Sequence, residues 1–232
     1  MLPETRFVPF GWEGAVAEAL EAGDVAAVIL EPIQSMAGVF EAPSGYYQAL
    51  RRLCDEHDAL LIFDEVQTGV GRTGTFSYGE HVGVTPDLIT LAKSLGAGVP
   101  VGATLVHARI AATLKPGDPG APFGGGMLAL AAVAATLDAL TEDGLMPRAV
   151  QLFGTIKTAL ASLDGVVDVR GRGALLGVEL DRPAGPVRDA LRDAGILVGT
   201  SGHAHSLRLM PPLTTPFEAV DSLAEALAEA LS

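Results

Sequence analysis

Two charged residues stand where apolar segments stop. Asp64 closes "ALLIF" (59–63) and Lys93 closes "LITLA" (88–92). Lysine is scarce: Lys93, Lys115 and Lys157 face twelve arginines in the whole chain. An amine at the end of an apolar segment is costly to bury unless its charge or its nucleophilicity is used. Brought to one crevice, an acid and an amine can do covalent and acid–base chemistry. They can equally form a salt bridge that caps two strands, and the two residue types alone leave both readings open.

The elements that must position them are legible as patterns. "AAVIL" (26–30), "ALLIF", "LITLA" and "GATLV" (102–106) are continuously apolar, the pattern of strands covered on both faces. Between the first two lies "GYYQALRRLCDEHDA", with Tyr47, Leu50, Leu53 and Cys54 at helical spacing and Ser44 as its N-cap. Strand, helix, strand predicts a mostly parallel sheet with crossover helices, an α/β fold. Ligands of such sheets bind at the carboxyl ends of the strands, where Asp64 and Lys93 stand. "MLALAAVAATLDAL" (127–140) reads as a close-packed helix of small residues. Beyond it the pattern changes. "GVVDVRGRGALLGVEL" (165–180) reads as two strands around a Gly171–Gly173 turn, and "AGILVGTS" and "SLRLMPPL" as further short strands. The end of the chain reads as a helix with a Thr215–Glu218 capping box and Pro216 at its first position. Its apolar stripe runs through Phe217, Val220, Leu223, Leu227 and Leu231 and is read as packing, since its other face is acidic. A boundary near residue 146 divides an α/β part, 1–146, from a smaller α+β part, 147–232.

Composition narrows the classes of function. Hydrophobic residues at 49% and charged residues at 19% describe a globular chain with ample core. A formal net charge of −13 without a basic stripe disfavours nucleic acid and anionic membranes. No apolar run is long enough to span a bilayer, and "MLPETRFVPF" lacks the pattern of a signal peptide. The one cysteine, Cys54, fits a reducing compartment, so a cytoplasmic location is expected.

Six segments then occur in order: "AAVILEPIQ", "LCDEHDALLIFDEVQTGVGRTG", "EHVGVTPDLITLAKSLGAGVPVGA", "FGGG", "VRGRGALLGVEL" and "LRLMPPLT". Together they resemble the class III aminotransferases, pyridoxal-phosphate enzymes of fold type I, and within them the acetylornithine and ornithine aminotransferases. The resemblance covers essentially the whole chain. It implies a partial large-domain sheet plus a small α+β C-terminal domain, and pyridoxal 5'-phosphate as cofactor. Lys93 would form the Schiff base and shuttle the proton. Asp64 would pair with the ring nitrogen, Val66 would press on the ring face and Gln67 would bond the ring hydroxyl oxygen. Arg208 would bind a substrate carboxylate. The implied reaction moves an amino group from an amine or ω-amino acid to a 2-oxo acid, in a homodimer.

Departures stand beside the matches. The family's threonine before "FGG" is Pro122 here, which has no group to donate to a phosphate. The family's "QGE" is "QSM", so Met36 replaces an acid. Family members are near twice this length, and their N-terminal part carries the helix start that cradles the phosphate. A split-enzyme or non-catalytic subunit that needs a partner chain is therefore an alternative, as is another fold type I enzyme, an aminomutase or racemase. "GVGRTG" (69–74) reads as a turn-rich loop near the substrate, "HAH" (203–205) as a loop rather than a metal pair, and no metal is expected. Cys54 reads as core. His57, His81 and His107 read as structural, and Glu31 has no assigned role.

Overall fold

The computed structural model describes residues 5–118, 120–122 and 124–232. In chain order the elements are α1 (Glu13–Leu20), β1 (Ala27–Leu30), β2 (Ile33–Gln34), α2 (Ser35–Gly38), β3 (Phe40–Glu41), α3 (Tyr46–Glu56), β4 (Leu60–Asp64), α4 (Gly79–Val82), β5 (Leu88–Leu91), β6 (Ala103–Val106), α5 (Ala108–Ala111), α6 (Met127–Glu142), α7 (Leu145–Leu160), β7 (Val166–Arg172), β8 (Leu175–Leu180), α8 (Ala184–Asp193), β9 (Gly199–Thr200), β10 (Ser206–Leu209) and α9 (Glu218–Leu231).

The first sheet runs β1-β4-β5-β6. β1 and β4 pair in parallel, as do β4 and β5, with Asp64 opposite Thr90. β6 is antiparallel to β5. The reason is length: a parallel return needs a crossover of a dozen or more residues, and the short 92–102 segment only reverses the chain. The crossover between β1 and β4 is α3. Its Tyr47, Leu50 and Cys54 are fully buried, each large apolar side chain contributing roughly 1.5–3 kcal/mol. Ser44 does not cap α3: the N-cap is Gly45, without a side-chain hydrogen bond. Tyr47 does more than pack. Its hydroxyl donates to the Pro32 carbonyl at 2.6 Å and accepts from the Ala42 N–H at 3.1 Å. The chain leaving β1 is thereby pinned to α3.

The second sheet, order β7-β8-β10-β9, is antiparallel and is covered by α7, α8 and α9 around a core that includes Leu152, Leu176, Val187 and Leu227. In α9, Val220, Leu223, Leu227 and Leu231 are buried as their spacing predicts. The Thr215–Glu218 capping box does not form, and Phe217 stands at the N-cap. Arg148 explains the geometry there: its guanidinium donates to the carbonyls of Leu213 at 3.1 Å and Thr215 at 2.7 Å and fixes the entry to the helix. A third cluster, with Val70, Leu91, Leu95 and Leu140, lies under the 64–76 loop.

The first sheet and α6 are more open than the sequence predicts. Ile29 on β1 is 61% exposed, and Met127 and Leu128 on α6 are 89% and 75% exposed. Among the described residues nothing covers these positions. The "FGGG" segment includes Phe123, which lies outside the described residues.

At the end of the sheet away from Asp64, Asp87 is buried. It accepts from the Leu61 N–H at 2.9 Å and pairs with Arg51 at 2.8 Å and with Arg109. Burial raises the Asp87 carboxyl, but the Leu61 N–H and the two guanidiniums outweigh it and hold it below the usual carboxylate range. A depressed carboxyl contributes stability above its unfolded value, and the contribution is lost as the pH falls through the folded one. Stability should therefore decline as the pH drops below about 4. Asp87→Asn should flatten that decline and cost about 1.5–3 kcal/mol at neutral pH, measured by urea melts at pH 7 and at acid pH.

Candidate functional site

Asp64 is the last residue of β4 and Lys93 follows the end of β5, so the parallel pairing of these strands delivers both to one edge. Asp64 Oδ1 accepts from the Val66 N–H at 3.1 Å and from the Thr90 hydroxyl at 3.2 Å. The carboxylate is thus oriented by its own loop and by the neighbouring strand. Lys93 is exposed, and its amine makes no hydrogen bond or ion pair among the described residues. The salt bridge that could have capped the two strands is absent, and both charges are left available.

Lys93 opens a 3-10 turn, Lys93–Gly96, with φ of 46°. A residue with a β-carbon is strained in that left-handed region by roughly 1–2 kcal/mol. Such strain is held in place by the surrounding structure and gathers at functional sites.

The loop after Asp64 is built around a buried acid. Glu65 accepts from the Tyr78 N–H at 2.7 Å, from the Thr68 hydroxyl at 3.3 Å and from the Ser77 hydroxyl. Burial pushes its carboxyl up, against these donors. Arg72, in the same loop, donates from Nη1 to the carbonyls of Ala174 at 3.2 Å and Pro211 at 2.5 Å. "GVGRTG" is therefore a strut onto the second sheet. Gly173 is required there: its φ is 54°, and a β-carbon would lie 2.4 Å from the Arg72 carbonyl oxygen.

Arg208, in β10, reaches the same edge. Its Nη1 donates to Ser35 Oγ and to Gln67 Oε1, each at 3.2 Å, and the Ser35 hydroxyl donates to Gln67 Oε1 at 3.2 Å. No carboxylate among the described residues pairs with Arg208. Met36, where the family's acid would stand, is 52% exposed. Glu31 completes the cluster. Its carboxyl lies within electrostatic reach of Asp64, Lys93 and Arg208. Burial pushes the Glu31 carboxyl up, and its Oε2 is buried without a partner.

Of the residues that the sequence reading placed at the site, Arg208 bonds Gln67, the Val66 N–H bonds Asp64, and Lys93 follows the end of the strand beside Asp64. That reading missed Ser35, Glu65, Arg72 and Thr90. Of these, only Thr90 carried a usable signal, its place opposite the end of β4. Cys54 lies in the core of α3, its thiol pushed up to about 11 by burial. "HAH" falls between β9 and β10: the His203 ring stands edge-on to Phe40, and His205 Nδ1 lies 3.2 Å from the Leu180 carbonyl. Pro122 precedes the undescribed Phe123 and offers no donor.

The described groups fit one end of pyridoxal phosphate: a free amine for its carbonyl, an oriented carboxylate for its ring nitrogen and an amide for its ring oxygen. No described group is arranged to hold its phosphate.

With this geometry the comparisons agree. The family model described as aminotransferase class-III matches residues 13–231. The acetylornithine aminotransferase of Methanothermobacter thermautotrophicus is 40% identical over 237 residues, covering 100% of this chain and 60% of the relative. That of Methanopyrus kandleri is 45% identical, with the same coverage of 100% and 60%. Among solved structures, the acetylornithine aminotransferase from Elizabethkingia anophelis superposes with a TM-score of 0.87 at 33% identity, covering 97% of this chain and 59% of that one. The ornithine aminotransferase from Toxoplasma gondii ME49 gives 0.89 at 34%, covering 99% and 56%. The chain belongs to the class III aminotransferases, and its fold is that of their α/β members. It spans about 60% of the length of these relatives. Among the described residues no helix is long and apolar enough to cross a membrane.

The strain at Lys93 has a direct check. In ordinary positions Ala is more stable than Gly; here Lys93→Gly should fold more stably than Lys93→Ala by about 1 kcal/mol, compared by denaturant melts of the two variants.

Proposed function

We propose that this chain is the lysine-bearing part of a pyridoxal-phosphate aminotransferase. The reaction moves an amino group from an amine or ω-amino acid of the ornithine or acetylornithine kind to a 2-oxo acid. The observation that carries the reading is that Lys93 and Asp64 sit on adjacent strand ends with neither neutralised by the other.

Each residue has a task that its surroundings support. Lys93 offers its amine as the covalent anchor, and the same nitrogen takes and returns the proton at the substrate carbon. Asp64, oriented by Thr90 and the Val66 N–H, holds a proton at the ring nitrogen. Val66 would supply an apolar side chain to the ring face. Gln67 presents Nε2 to the ring oxygen, because Oε1 is already taken by Ser35 and Arg208. Arg208 binds the substrate carboxylate with the donors left over. Bound there, pyridoxal phosphate supplies the electron sink for breaking the bond at that carbon. No residue of this chain is assigned to the phosphate.

The division into 1–146 and 147–232 belongs to the same reading; each sheet has a main core cluster of its own, joined where Leu175 of β8 packs into the first. For assembly we favour a homodimer, or a complex with a chain equivalent to the rest of the relatives' length. The exposed Ile29, Met127 and Leu128 support covering by such a partner. The lone cysteine supports a cytoplasmic location.

The test is an absorbance titration of the purified protein with pyridoxal phosphate. A visible band is expected with wild type and none with Lys93→Ala; a band that survives Lys93→Ala overturns the assignment. In turnover, Arg208→Ala should raise KM for carboxylate substrates roughly 10–100-fold, the loss of hydrogen bonds to a charged group, with kcat less affected.

A further inference from the structure

We propose that Ser35 couples the carboxylate site at Arg208 to the cofactor site at Gln67, so that each is tightened by occupation of the other. The proposal rests on the roles given above to Gln67 and Arg208.

Ser35 is fully buried in α2 and joins two side chains that lie far apart in sequence. Its hydroxyl donates to Gln67 Oε1, and its oxygen accepts from Arg208 Nη1. The hydrogen-bond inventory fixes what remains free. Arg208 Nη1 donates to both Ser35 Oγ and Gln67 Oε1, each at 3.2 Å. Nε and Nη2, the edge whose parallel hydrogens suit a carboxylate, have no partner among the described residues. That edge lies beside Gly199, where a β-carbon would stand 3.6 Å from Nε and 3.7 Å from Nη2. On the other side, Gln67 has spent its oxygen on Ser35 and Arg208, so only Nε2 remains to face a ligand. Because Arg208 can only donate, the orientation of the Gln67 amide is set by the arginine, whichever way an isolated amide would turn.

The consequence is a linkage. A carboxylate on the free edge of Arg208 immobilises the guanidinium. Through the shared Nη1 and the Ser35 hydroxyl it also immobilises the Gln67 amide in the direction the cofactor needs. Ordering already present for one ligand does not have to be supplied again for the other. Binding coupling is reciprocal, so the same factor applies in both directions. Ser35 is a positioning residue in this scheme and need touch neither ligand.

The experiment measures the dissociation constant of pyridoxal phosphate by absorbance, with and without saturating succinate, a carboxylate with no amino group to transfer. Wild type, Ser35→Ala, Ser35→Thr and Gln67→Ala are compared. Succinate should tighten cofactor binding by about 5-fold or more in wild type. The effect should fall below about 2-fold in Ser35→Ala and Gln67→Ala and return in Ser35→Thr, which restores the hydroxyl. Removing one oxygen from a buried serine leaves the backbone in place, so Ser35→Ala should fold. Full tightening in Ser35→Ala, or none in wild type, overturns the coupling while leaving the cofactor reading intact. A wild type that binds no pyridoxal phosphate overturns both.

Discussion

The parallel pairing of β4 with β5 is the constraint on which the site depends. Its register puts Asp64 opposite Thr90, and the Thr90 hydroxyl then reaches the Asp64 carboxylate at 3.2 Å. Lys93 follows three residues beyond Thr90, at the start of a turn that turns back toward β6. A slip of one residue in this pairing would move every side chain of one strand to the opposite face and separate acid from amine. Both ends of the pair are secured by carboxylates, though in different ways. Asp87 locks the far end to Leu61, Arg51 and Arg109. Asp64, at the near end, is hydrogen-bonded but pairs with no cation among the described residues. One carboxylate is paired with two arginines and the other with none among the described residues.

Around that edge, order comes from long-range struts. Tyr47 holds the Pro32 carbonyl, Glu65 holds the loop that carries Val66 and Gln67, and Arg72 ties the loop to the second sheet. Arg208 crosses from that second sheet to Ser35 and Gln67. The site is therefore a junction of both sheets, and its arginine depends on how the two pack against each other.

Much of this was legible in the sequence because local pattern decides it. Continuous apolar runs mark β1, β4, β5 and β6, and a charged residue directly after such a run stands at a strand end by geometry alone. Asp64 and Lys93 could be found that way, and the surrounding segments named the family. What could not be read has a common cause. Ser35 meets Arg208 across 173 positions and Gln67 across 32; no periodicity reports such contacts. The capping expectations failed at Ser44 and Thr215 because tertiary donors and packing, Arg148 among them, set those helix entries instead. The exposure of Ile29, Met127 and Leu128 was equally invisible, because apolar runs describe what a segment can bury and not what covers it.

The central claim is that Lys93, and neither of the other lysines, is the covalent anchor. Borohydride reduction of the protein in pyridoxal phosphate, followed by peptide mass spectrometry, tests it most directly. The account requires the reduced pyridoxyl adduct on the peptide that contains Lys93, at a stoichiometry approaching one per site and protected by substrate amine. An adduct spread over Lys115 and Lys157, or absent from Lys93, would contradict it.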